Sequence, residues 1–208
     1  TKTYVMMCQA KRAGYDRQHT ALDLHDRKCD QNLARLHKAG IKGVRTVSGD
    51  ACELDAVLTS FDAMLGKPVL FDTVFIDAPC SGTGTMRRHP EIPWRLTEKD
   101  VRTELPRLQL TMLKEAAARV AAGGELIYAT CSVFDEENTQ VVDAFLASPE
   151  GTDFSLAPLS EAQILQLPEF EQAKKLVSVR QNDRGLFQSV PVNADSYDGH
   201  FCARLVHK

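Results

Sequence analysis

Residues 71–95 read FDTVFIDAPCSGTGTMRRHPEIPWR, and their first fourteen positions decide the fold. Val74, Phe75 and Ile76 form an apolar run flanked by breakers, the pattern of a short strand buried on both faces. The run ends abruptly in Asp77-Ala78-Pro79-Cys80 and the turn Ser81-Gly82-Thr83-Gly84. Pro79 fixes φ and offers no backbone donor, so the strand cannot simply continue through it. Gly82 and Gly84 permit close approach of a ligand or unusual dihedrals. In open α/β sheets ligands bind beyond the carboxyl ends of strands, which is where this acid and this thiol fall. The plainer alternative is an acidic turn with a buried cysteine as filler.

Outward from this stretch the chain alternates. Upstream, residues 3–13 predict a helix ending near Gly14, and 19–25 (HTALDLH) a short strand ending near Asp23. Asp26 can cap a helix in which Cys29, Leu33 and Leu36 share one face and which Gly40 closes. Residues 44–47 predict a strand running into Ser48-Gly49-Asp50-Ala51, with a helical stretch to about Leu65. Downstream, Pro106 suits the first turn of a helix. Leu110, Leu113, Ala117 and Val120 give that helix its apolar stripe, and Gly123-Gly124 is expected to stop it. Residues 125–130 (ELIYAT) predict a strand ending in Cys131-Ser132, and 136–147 another helix. Residues 176–179 and 201–206 are expected to be terminal strands. Strands alternating with helices predict an α/β protein with a parallel, doubly wound sheet. Without an internal repeat or linker, residues 1–208 read as a single domain.

Composition narrows the class further. At 208 residues, 43% hydrophobic and 25% charged, the chain suits a globular protein with a substantial core. There is neither an apolar run of membrane-spanning length nor a signal-peptide pattern, so no membrane partner is expected. The six cysteines (8, 29, 52, 80, 131 and 202) include no CxxC pair. Neither a metal site nor a disulfide framework is therefore expected, and a reduced, cytoplasmic setting is. The net charge is −3. Any nucleic-acid contact must then come from a local basic patch.

Three acids fall at matching positions, Asp23, Asp50 and Asp77, each at the carboxyl end of a predicted strand. Such acids commonly receive ribose hydroxyls, and a second one nearby can accept from an adenine amino group. The alternative for Asp23 and Asp50 is that they merely begin the next helices, where negative charge favours the dipole. Their recurrence points to an adenosine-containing cofactor. Cys80 and Cys131 both follow predicted buried strands, and neighbouring strands lie about 5 Å apart. Strand-end cysteines beside an acid and a glycine turn are well placed to act as thiolates. A thiolate, a carboxyl group and an adenosine cofactor together suit methylation of cytosine. Carbon 5 of that ring is a poor nucleophile until a thiolate adds to carbon 6. An acid near ring nitrogen 3 stabilises the charge, carbon 5 takes a methyl group from a sulfonium donor, a base removes its proton, and the thiolate leaves.

DAPCSGTG at 77–84, RRHPEIPWR at 87–95, ATCS at 129–132 and DGHFCARL at 198–205 resemble the RNA (cytosine-5) methyltransferases of the Sun/Fmu (RsmB-like) family. The similarity runs nearly end to end. It implies a Rossmann-like S-adenosylmethionine methyltransferase, its sheet mostly parallel with an antiparallel C-terminal strand. By resemblance Cys131, in the Thr-Cys element, is the nucleophile and Cys80, in the Pro-Cys element, assists breakdown of the adduct. Asp77 would lie between methyl donor and cytosine, Asp23 would take the ribose hydroxyls and Asp50 the adenine end. The family's cofactor loop ends in Gly-Lys-Thr after a strand and an Ala/Pro/Gly-rich segment. Here Thr1-Lys2-Thr3 resembles only its tail, with Lys2 as the cofactor-loop lysine. The first strand is thus expected to be missing, and the chain to bind S-adenosylmethionine weakly or not at all by itself.

The RNA partner is expected to be ribosomal (small-subunit), with transfer RNA next. Contacts are expected from Pro79 and from the cluster Arg87, Arg88, His89 and Arg95 with Trp94, since cations hold phosphates and an aromatic can stack on a base. Glu91, Glu98, Asp100 and Glu104 are interspersed, so part of this stretch also reads as a salt-bridged surface. Rival readings are a DNA cytosine-5 methyltransferase with Cys80 as attacker, a catalytically silent RNA-binding piece, and, more distantly, a nicotinamide dehydrogenase.

Overall fold

The computed structural model describes residues 2–12, 14–15, 18–160, 163, 180–191 and 197–208. The strand expected at 176–179 lies outside them. The chain divides into two compact units, residues 1–69 and 70–208.

In the first unit, helix α1 (Lys2–Arg12) buries no residue. Strands β1 (His19–Asp23) and β2 (Val44–Ser48) pair in parallel, with His19 opposite Val44 and Asp23 opposite Ser48. Helix α2 (Asp26–Lys38) makes the crossover and buries Cys29 and Leu36, two turns apart on one face. Arg35, His37 and Lys38 occupy its last turn, where cations favour the dipole. A short 3₁₀ turn, Ala51–Glu53, leads into α3 (Leu54–Leu65), which buries Leu58.

In the second unit, β3 (Phe71–Asp77) pairs in parallel with β4 (Val120–Thr130). Between them come a short helix α4 (Ile92–Arg95), a π-helical turn at Asp100–Glu104 and the crossover helix α5 (Leu105–Ala117). After β4 follow α6 (Thr139–Leu146), β5 (Phe154–Leu156), β6 (Phe187–Ser189) and β7 (His200–His207). The sheet order is β3-β4-β7-β5, with β6 also paired to β7. All three pairings of β7 are antiparallel. The expected parallel pairs and antiparallel C-terminal strand are therefore present, in two separate ladders, β1-β2 and the five-stranded sheet.

Strict alternation builds the core. Along β4, Gly124, Leu126, Tyr128 and Thr130 are buried while the residues between them are partly exposed. Leu113 of α5, Val142 and Phe145 of α6, and Phe201, Ala203 and Leu205 of β7 close over them, each at most 1% exposed. Each fully buried large apolar side chain contributes about 1.5–3 kcal/mol. Phe145 meets Phe154 edge-on, and Phe154 stacks on His207.

One expectation is corrected. The apolar stripe of α5 does not extend to Val120, and Gly123-Gly124 does not stop a helix. The helix ends at Ala117, and Val120 already belongs to β4. Phe71 pairs with Val120 but Thr73 with Glu125, so the residues between form an irregularity in the ladder. Gly123, at φ 74°, absorbs it. Strands β5 and β6 have three residues each, too few for alternation to reveal them in sequence.

Candidate active site

Because β3 and β4 are adjacent and parallel, the loops that follow them leave the sheet at the same end. Asp77, exposed, sits opposite Ala129, and the Ala78 amide donates to the Ala129 carbonyl at 2.9 Å. The Pro79 bend then turns Cys80 towards Cys131, and their Sγ atoms lie 3.4 Å apart. Both are free thiols. At that distance they form a hydrogen-bonded pair rather than a disulfide, which needs about 2.05 Å. The hydrogen bond to the Cys131 sulfur, followed by burial, pushes the Cys80 thiol far up from its ordinary value. The hydrogen bond and burial thus both favour the protonated form of Cys80.

Glycines let the two loops close. The Gly84 amide donates to the Cys131 carbonyl at 2.8 Å, and the Gly199 amide to the Gly84 carbonyl at 2.8 Å. A Cβ on Gly84 would stand 2.2 Å from the Gly199 carbonyl oxygen, so only glycine fits. Gly82 adopts φ 72°, the left-handed turn that brings the chain back.

Beneath the sulfurs lies a polar cluster that sequence reasoning passed over. Glu137, fully buried, accepts at Oε1 from the Ser81 amide (2.8 Å) and Gln109 Nε2 (3.1 Å). At Oε2 it accepts from the Ser81 hydroxyl (2.5 Å) and, at shorter range, from the Ser132 hydroxyl. Gln109 also donates to the Pro79 carbonyl at 2.9 Å. Asn138 accepts from Thr130 Oγ1 at 2.6 Å and donates to the Ser132 carbonyl at 3.0 Å. In the sequence Asp135-Glu136-Glu137 nothing marks the third acid off from its neighbours, since acids at a helix start are common.

The cations expected to meet RNA are all in ion pairs on the surface. Arg88 binds Asp198 through Nε (2.8 Å) and a terminal nitrogen (2.5 Å), and Arg87 approaches the same carboxylate at 3.7 Å. Asp198 is held below the usual carboxylate range, chiefly by Arg88. Arg88 is raised in turn, first by Asp198 and more weakly by Cys131, which puts this guanidinium within electrostatic reach of that sulfur. His89 and Arg95 both pair with Glu91, at 3.4 and 3.6 Å. Trp94 is 90% exposed, and Pro79 is exposed at the turn. A cleft of about 340 Å³ opens beside both cysteine loops, lined by Thr83, Met86, Leu96, Val101 and Phe134 with Glu98 and Arg102 among its polar residues.

In the first unit, Asp23 ends β1 and Asp50 follows β2, the two strands being parallel neighbours. Asp23 Oδ1 accepts from the His25 amide at 3.0 Å and faces Lys28 at 3.8 Å. Asp50 Oδ1 accepts from the Cys52 amide at 2.8 Å, so it does begin the next turn, as the alternative reading had it. These contacts all fall on Oδ1 of each carboxylate, and Oδ2 is of the type that accepts from a hydroxyl or amino donor. Lys2 is exposed at the first position of α1. Among the described residues no group of three or more His, Cys, Asp or Glu is arranged to hold a metal ion. No described helix is long and apolar enough to cross a membrane.

A family model described as 16S rRNA methyltransferase RsmB/F matches residues 3–206. The ribosomal RNA small subunit methyltransferase B of Citrobacter koseri is 32% identical over 161 residues, 77% of this chain and 35% of the relative. Its namesake from Salmonella arizonae is 49% identical over 126 residues, 61% of this chain and 27% of the relative. The chain thus matches about a third or less of the length of these curated relatives. Among solved structures, NSun6 from Pyrococcus horikoshii with SFG superposes with a TM-score of 0.71 at 20% identity, over 99% of this chain and 44% of that one. A methyltransferase homolog protein from the same organism gives 0.63 at 23% identity, over 93% and 54%. At these identities the likeness is one of fold.

Proposed function

The chain belongs to the RsmB/F family of 16S rRNA methyltransferases, and from that premise we propose that it carries the catalytic centre of an S-adenosylmethionine-dependent RNA methyltransferase forming 5-methylcytosine. The observation that carries the reading is the pair of sulfurs 3.4 Å apart at the carboxyl ends of adjacent parallel strands. Bound S-adenosylmethionine supplies an electrophilic methyl group. Asp23 is assigned to its ribose hydroxyls, Asp50 to its adenine end, and Lys2 to the cofactor loop.

Cys131, in the Thr-Cys element, adds as the thiolate to carbon 6 of the target cytosine and makes carbon 5 nucleophilic. Asp77, the last residue of the adjacent strand β3, is assigned as the acid near ring nitrogen 3 that stabilises the charge developing there. Cys80, whose protonated form is favoured by the Cys131 hydrogen bond and by burial, is assigned to breakdown of the adduct rather than to attack. Once the cytosine takes up the Cys131 sulfur, the leading influence that raised Cys80 is reduced, while burial remains. Cys80 then gives up its proton and, as the thiolate, takes the carbon 5 proton, so that the bond between carbon 6 and Cys131 breaks and the adduct is released. The target base must leave its stack to reach the thiols, at a cost of a few kcal/mol in a duplex and less in a loop. Arg87, Arg88, His89 and Arg95 flank the entrance as phosphate contacts, and the cleft beside Phe134 suits the face of an unstacked neighbour. Ribosomal RNA of the small subunit is the proposed substrate, ahead of transfer RNA.

The test is adduct trapping with RNA carrying 5-fluorocytosine at the target, since fluorine at carbon 5 blocks release. The wild-type and Cys80→Ser proteins should give a covalent band, and Cys131→Ser none. A band that survives Cys131→Ser but not Cys80→Ser would reverse the roles. No band from any protein, with methyl transfer also absent, would favour a silent RNA-binding piece.

A further inference from the structure

Glu137 has no part in the chemistry above, yet it is the point at which the two cysteine loops meet. Ser81 follows Cys80, Ser132 follows Cys131, and both hydroxyls converge on Oε2 of this one carboxylate. Oε1 takes the Ser81 amide and Gln109, which itself holds the Pro79 carbonyl on the other side of Cys80. Asn138, the next residue, grips Thr130 and Ser132 on either side of Cys131. The Tyr128 hydroxyl donates to the Glu137 carbonyl at 2.6 Å and pins the backbone between them. Four donors saturate a carboxylate, which offers about four acceptor positions. Burying such a group without partners is costly, so it holds its loops in one arrangement only.

We propose that Glu137 is a positioning residue for the cysteine pair, binding Ser81 and Ser132 to one carboxylate so that the sulfurs of Cys80 and Cys131 face each other across 3.4 Å. The proposal rests on the reading of these thiols as the catalytic pair. Ser81, Thr83 and Ser132 add a ring of hydroxyls, 3.1–3.3 Å apart, that transmits the constraint to Thr83. From Thr83 it reaches the Val133 amide at 3.2 Å.

Glu137→Gln tests it, because an amide has the same shape but replaces one acceptor oxygen by a donor. Whichever way the amide turns, two of the four donors lose their acceptor. The first readout needs neither RNA nor cofactor. Diamide oxidises two neighbouring thiols to a disulfide while its N=N bond takes up the two hydrogens, so the protein loses two mass units. Its rate reports sulfur proximity. The second readout is kcat against KM for RNA, and melting temperature is the control for folding.

Glu137→Gln should melt within a few degrees of wild type. It should form the Cys80–Cys131 disulfide about tenfold more slowly and lose about 10²-fold in kcat at nearly unchanged KM, as expected of a small misplacement of reacting groups. Cross-linking and kcat both at wild-type values would overturn the proposal. So would a rise in KM without slower cross-linking. Should Glu137→Gln fail to fold, the double variant Ser81→Ala with Ser132→Ala carries the same readouts. Slower cross-linking in the variant, alongside a wild-type protein that methylates no cytosine, would sink the functional reading and leave the positioning role standing.

Discussion

Asp198 shows how one carboxylate sets the charge of a surface. Its side chain is 15% exposed, and Arg88 depresses its pKa below the ordinary value of 3.8. A depressed carboxylate stabilises the fold above its unfolded pKa and loses that contribution as pH falls through the folded value. Stability should therefore drop below about pH 4, and Asp198→Asn should flatten that part of the curve. Urea melts of both proteins between pH 7 and pH 3 would show it, and identical curves would refute it. The thiols give a second residue-scale expectation. The interaction with Cys131 is the leading reason that Cys80 is raised, so Cys131→Ser should let Cys80 be alkylated at lower pH than in wild type, with burial still opposing it. Mass-mapped iodoacetamide labelling across pH 7–10 would measure the shift. Cys202, raised by burial alone to about 11, serves as the unreactive reference.

Among the elements, β4 carries most of the burden, since it pairs with β3 on one side and β7 on the other. Leu126→Ala, at a position with no exposed surface, should cost about 2–5 kcal/mol by the cavity it leaves. Denaturant melts would measure this loss. Strand β3 and the last six residues of β4 were legible in sequence because an apolar run stopped by Pro or Cys-Ser has few other readings. The start of β4 was not, because Val120 continued a helical spacing and Gly123 served a ladder irregularity instead of a helix end. The site was legible to the same degree. Cys80, Cys131 and Asp77 announced themselves as strand-end residues. Glu137 could not, because its importance lies in burial and in partners drawn from positions 81, 109 and 132. The ion pairs of Arg87 and Arg88 were equally hidden, for Asp198 lies more than a hundred residues away in sequence.

Across the whole chain, packing is uneven. Among the described residues of the first unit only Cys29, Leu36 and Leu58 are buried apolar side chains, whereas the second unit holds a continuous cluster of sixteen. Opening free energies follow such differences. Amide exchange should be slowest in β4 and β7 and markedly faster in β1 and β2. Equal protection in the two units, read by mass spectrometry of peptic fragments, would contradict this.

The position of β7 in its sheet has a consequence for biosynthesis. Residues 200–207 fill the slot between β4 and β5, and Gly199, just before them, latches the loop of Cys80. Until that segment emerges from the ribosome, β4 presents an open edge to other chains and the thiol loop lacks its brace. An interrupted translation product is therefore an aggregation hazard rather than a weak catalyst, and chaperone capture should fall sharply once this final hairpin partner is made.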